Sequence, residues 1–150
     1  MKEKELYTYL QIVERCEHIS MQIKVLETKI NSPQTVAYGM PKGTIKPPGE
    51  WLTVIIDERD RLLKIYQKIL SEQTERYLLM LDIEFKLERK IESDLFSLLY
   101  IKGKSIYEAS RTLNYSASSL YKIRKRIIAQ LESMSIERDA NGNMYIKNKA

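Results

Sequence analysis

Near the start of the chain, Tyr9, Ile12, Cys16, Ile19, Ile23, Leu26 and Ile30 follow one another at intervals of three, four, three, four, three and four. This alternation is the a/d spacing of a helix that buries one narrow seam against another helix. The positions between are mostly Glu, Lys, Gln and Arg, which suits the outer face to water. A half-buried strand would need a two-residue period. Residues 2–30 are therefore expected as one helix, stopped by Asn31 and Pro33.

Residues 31–49 hold all four prolines and three of the five glycines, which disfavours both helix and sheet there. So long a connection is either mobile or functional. A second long helix is expected from Glu50 or Trp51 to about residue 88. Its seam runs through Ile55, Leu62, Tyr66, Ile69, Met80, Ile83 and Leu87. Ile56, Leu63, Leu70 and Tyr77 form a flanking stripe seven residues apart. Arg59, Gln73 and Arg76 interrupt the first seam, so its packing is expected to be imperfect. Two such helices form an antiparallel hairpin within one chain or a dimer interface between chains, and the pattern leaves both open.

Beyond residue 90 the helices shorten and the punctuation changes. Leu95, Leu98 and Leu99 give Glu92–Ile101 a core face, and Gly103 ends that helix. Ser105-Ile106-Tyr107-Glu108 is a capping box that opens a short helix ending at Leu113. Asn114 tolerates the left-handed backbone of a sharp turn. Ser116 is a second N-cap, for a helix from Ala117 to about Met134 with Leu120, Ile123, Ile127 and Leu131 inward. In the tail, Asn141-Gly142 separates short segments around Ile136 and Tyr145-Ile146, so a small hairpin or a mobile tail is expected. The fold class read here is all-α. A helical hairpin or coiled coil over 1–90 serves oligomerisation or docking, a helix-turn-helix occupies 91–134, and a tail follows over 135–150.

The net charge of +5 only permits an anionic partner, but its placement is uneven. Within 100–130, Lys102, Lys104, Arg111, Lys122, Arg124, Lys125 and Arg126 face one acid, Glu108, a local net of +6. Two short helices joined by a tight turn, the second basic, are the parts of a helix-turn-helix. The N-terminal residues of its second helix meet base edges in the major groove. Ala117, Ser118, Ser119, Tyr121 and Lys122 occupy those positions, with Lys125 one turn on. Arg124, Lys125, Arg126, Lys102, Lys104 and Arg111 are phosphate-contact candidates, and Ser116 offers its amide to a phosphate at the helix N-terminus.

Residues 95–131, LFSLLYIKGKSIYEASRTLNYSASSLYKIRKRIIAQL, resemble the region 4 helix-turn-helix of sigma factors. The loose pattern of that family is an aromatic-x-Gly segment, a capped turn and then a basic amphipathic helix. Together with the coiled-coil-like N-terminal part, the chain is similar to ArpU/RinA-type regulators of late genes in phages of Gram-positive bacteria. The resemblance implies a regulator that reads promoter double-stranded DNA through Ala117, Ser118, Ser119, Tyr121, Lys122 and Lys125, with host RNA polymerase as a partner. Ala109 stands where a larger aliphatic is usual, Ser110 where alanine is usual and Asn114 where glycine is common. The first two weaken the expected packing between the motif helices. Nothing else in the chain matches the other sigma regions.

Other functions have less support. One histidine and one cysteine, two residues apart on a helix, do not make a metal site. Cys16 reads as a small core residue and His18 as a surface residue. No phosphate-binding loop or nucleophile–histidine signature occurs, so neither enzyme activity nor a cofactor is expected. No stretch approaches the roughly 20 apolar residues of a membrane span. The N-terminus lacks a secretory signal, and the single cysteine suits the reducing cytoplasm of a bacterial host. The alternatives are the small subunit of a phage terminase and a coiled-coil adaptor that binds protein. A dimer is expected because helix-turn-helix proteins commonly pair on DNA.

Overall fold

A computed structural model describes residues 1–31 and 48–148. The chain is mostly helical, as its periodicity predicts. Helix α1 spans Glu3–Ile30 and α2 spans Pro48–Lys86. Helix α3, Lys90–Phe96, widens into a π-helical turn over Ser97–Ile101. Helices α4, Ile106–Leu113, and α5, Ala117–Glu132, follow. The chain closes with strands β1, Met134–Arg138, and β2, Met144–Asn148. The proline- and glycine-rich loop expected at 31–49 falls almost wholly outside the described residues.

The chain divides into two compact units. One unit is Glu14–Ser71; the other joins Met1–Val13 to Glu72–Ala150. In the first, Cys16, Ile19 and Ile23 of α1 and Ile55 of α2 are buried. Part of the α1 seam is thus covered within a single chain, as in an intramolecular hairpin. The α2 seam is shallower: Leu62, Tyr66 and Ile69 are half-buried, and so is Arg59, which pairs with Asp60 at 3.1 Å.

The second unit holds a continuous core. Leu6 and Tyr9 of α1 and Leu79, Met80 and Ile83 of α2 meet Leu95, Phe96 and Tyr100. Ile106 and Ala109 of α4 and Leu120, Ile123, Ile127 and Leu131 of α5 complete it. The π-helical turn closes where the Lys102 amide reaches the Ser97 carbonyl at 2.9 Å. Gly103, at φ 68°, then turns the chain so that the Lys104 amide reaches the Leu98 carbonyl at 2.8 Å. The glycine is needed because other residues pay to enter that left-handed region.

The tail forms the hairpin. Strands β1 and β2 pair antiparallel with Ile136 opposite Ile146. Asn141-Gly142 lies in a loop organised by Asp139, whose carboxylate accepts the Asn141 and Asn143 amides, each at 2.9 Å. Two strands alone are marginal in water. Here Met134 and Ile146 enter the core. Asp82 accepts the Ile146 amide at 2.9 Å, and Lys86 donates to the Ile146 carbonyl. One turn of α2 therefore satisfies the strand edge that a third strand would otherwise take.

Candidate nucleic-acid interface

Helices α4 and α5 are set by local chemistry. The Ser105 hydroxyl accepts the Glu108 amide at 3.2 Å, and the Ser116 hydroxyl accepts the Ser119 amide at 3.2 Å. Each satisfies an amide that has no partner inside its helix. The Glu108 carboxylate does not complete the capping box through an amide; it meets the Ser105 hydroxyl at 3.3 Å and lies 3.7 Å from the Lys104 ammonium. Between the helices, Asn114 adopts φ 58° and ψ 38°, the left-handed turn expected of it.

The two unusual residues of the motif have structural roles. Ala109 is wholly buried, and its small side chain allows α4 to pack closely in the core. Ser110 donates to the Tyr115 carbonyl at 2.5 Å and so ties the end of α4 to the residue before the second cap.

On α5, Leu120, Ile123, Ile127 and Leu131 are buried as their spacing predicts. The other side leaves Ser116, Ser118, Tyr121, Lys122, Lys125 and Arg126 exposed, while Ala117 and Ser119 are half-buried. The Ser119 side chain is engaged locally, its hydroxyl 2.8 Å from that of Ser116. Lys104 and Arg111 are also exposed, Lys104 beside its acid partner.

Arg124 differs from its neighbours. Its Nε and Nη2 donate to Glu3 Oε1 at 3.0 and 2.6 Å. The buried Tyr100 hydroxyl donates to the same oxygen at 2.8 Å. Burial alone would raise the Glu3 pKa, but the bonds from Arg124 and Tyr100 outweigh it and hold the carboxyl below its ordinary value of 4.5. The bond to Glu3 raises the Arg124 pKa, and burial followed by Glu3 raises that of Tyr100. Arg124 thus clasps the first turn of α1 to α5 instead of standing free among the surface cations. Nearby, the Met1 ammonium donates to the Leu131 and Met134 carbonyls at 3.0 and 2.8 Å, at the end of α5.

Sequence reasoning passed over three exposed tyrosines at this face. Tyr107 on the first turn of α4 is 64% exposed, and Tyr115 and Tyr7 are 45% and 40% exposed. Tyr7 stands edge-on to Tyr100 with ring centroids 5.7 Å apart. With Lys104, Tyr107, Tyr121 and Arg124 it lines an open groove of about 370 Å³. Tyrosines interleaved with bases at 104–125 were the available signal. Glu92 also went unnoticed. It is buried on α3 and receives the Gln130 side-chain amide, while Gln130 Oε1 accepts the Glu88 amide at 3.1 Å.

Cys16 is buried and His18 exposed, as read, with Gln22 at 3.3 Å from the imidazole. Among the described residues, no group of three His, Cys, Asp or Glu side chains could hold a metal ion. No helix among them is long and apolar enough to cross a membrane. No protein-family model, curated protein or solved structure matches the chain.

Proposed function

We propose that the chain is a sequence-specific double-stranded DNA-binding regulator of transcription that lays α5 in the major groove. The observation that carries this reading is the two-sidedness of α5. One side is held in the core, and the other presents Ser118, Tyr121, Lys122, Lys125 and Arg126 to solvent from a doubly capped turn. A helix so anchored offers a rigid row of donors and cations of the kind that meets base edges and phosphates. Lys122 takes the base-reading role, a lysine favouring guanine acceptors. Lys125, Arg126 and Arg111 take phosphates. Arg124 is assigned to the clasp with Glu3, not to DNA. The likeness to sigma region 4 extends the proposal to host RNA polymerase as partner and phage late genes as targets, in a bacterial cytoplasm.

The test is duplex binding across a salt series, with a selection for preferred sequences. Three phosphate contacts predict a log–log slope of about −3. Lys122→Ala is expected to flatten the sequence preference, at a cost of about 1–3 kcal/mol on the preferred site. Changing Lys125 and Arg126 to Ala together should weaken all sequences alike and shallow the salt slope by about 2. Affinity that ignores salt would favour the adaptor reading.

A further inference from the structure

The last turns of α2 carry apolar side chains on opposite sides. Leu79, Met80, Ile83 and Leu87 are buried in the core. On the other side Leu78, Leu81 and Phe85, spaced three and four apart, are 60%, 37% and 87% exposed. A surface helix ordinarily has one apolar stripe and a polar face, and a helix apolar all round is a covered one. The hairpin does not cover this stripe. It engages Asp82 and Lys86, on the flank.

We propose that Leu78, Leu81 and Phe85 form the interface between two copies of this chain, with the ends of their α2 helices packed antiparallel around Leu81. Three observations select a second copy. The three/four spacing is that of a coiled-coil seam, which fits a helix of the same spacing and hence itself. The stripe is graded in size, from Thr74 one turn before Leu78 to Phe85 at its end. Antiparallel packing sets Phe85 beside the partner's Leu78 and Thr74, large against small, whereas parallel packing would oppose two phenyl rings. Asp82, beside the two-fold axis, is already held by Lys86 at 3.5 Å and by the Ile146 amide, so the axis does not bring two bare carboxylates together. The α1 seam, which the sequence offered for dimerisation, is buried from Tyr9 to Ile23 within the chain and is not available for it.

Three side chains per copy cover less than the roughly 800 Å² per partner of a standard interface. The dimer is therefore reversible, with a micromolar dissociation constant or weaker. The experiment is sedimentation equilibrium of the full chain from about 1 μM to about 500 μM, a range that brackets such an affinity. The expected result is a monomer–dimer equilibrium. Phe85→Asp should weaken it at least about tenfold, or 1.4 kcal/mol. Because Phe85 is already in water, the melting temperature of the monomer should not fall. Leu81→Cys, oxidised under mild conditions, should cross-link to a dimer faster than Val25→Cys, which is 55% exposed on α1. The buried Cys16 of the unaltered chain supplies the background rate. A monomer at every concentration overturns the proposal, and so does a Phe85→Asp chain that dimerises like the original. Equal cross-linking at positions 81 and 25 overturns it as well.

Discussion

The α1 seam crosses the boundary between the two units without a change of pattern, yet its two halves meet different surroundings. In Met1–Val13, Tyr9 joins a core that runs through α2, α3, α4, α5 and both strands. In Glu14–Ser71, Cys16, Ile19, Ile23 and Ile55 are the buried side chains among the described residues. Periodicity therefore reports which face turns inward and says little about how many layers cover it. Two helices bury a line, and additional layers bury a volume. Stability follows from the volume, since each buried side chain loses in proportion to the contacts and cavity around it.

Truncating one buried residue in each unit separates a line from a volume. Leu120→Ala, in the layered core, should cost about 4 kcal/mol, and denaturant unfolding of the two proteins measures it. Ile19→Ala should cost about 2 kcal/mol, because a two-helix unit closes over the lost methyls more readily. Hydrogen exchange should place the loss at Leu120 in Met1–Val13 and Glu72–Ala150, and the loss at Ile19 in Glu14–Ser71. Equal costs, or exchange that rises uniformly in both cases, would erase the distinction.

Smaller changes sharpen it within the layered unit. Glu3→Gln removes the charge that Arg124 and Tyr100 share, at a cost of about 1.5 kcal/mol at neutral pH. The folded-state pKa of Glu3 is depressed, so its contribution is present above pH 4.5 and fades as pH falls through the folded value. Melting temperature against pH should accordingly fall less steeply below pH 4.5 in Glu3→Gln than in the unaltered chain. Asn114→Ala should cost about 1 kcal/mol, the penalty of a left-handed alanine, read as a small drop in melting temperature. Asn114→Gly should not lower it.

What could be read from the sequence was whatever lies within a few residues. The helices, both serine caps, the Asn114 turn and the inward row of α5 are all local, and all occur where spacing and propensity put them. The clasp was not legible. Arg124 looks like Lys122, Lys125 and Arg126 in sequence, and only the return of α1, 121 residues away, gives it a carboxylate. The grip of Asp82 and Lys86 on Ile146 spans 64 and 60 residues and was hidden for the same reason. Ala109 was hidden for a different reason. Its small size was visible, but whether that meant loose packing or close approach depended on what lay above it.

The division of the chain also sets an order for its making. Glu14–Ser71 is continuous in sequence, so its two helices can pair once the ribosome has released residue 71. Met1–Val13 cannot finish folding at that stage. Tyr9 waits for Tyr77, and Glu3 waits for Arg124. Met1–Val13 are thus settled later than the continuous unit that follows them in sequence. An arrest or truncation before residue 77 leaves Tyr9 without the ring of Tyr77, and one before residue 124 leaves Glu3 without the Arg124 guanidinium. Such nascent chains should be the species that chaperones hold and proteases clear first.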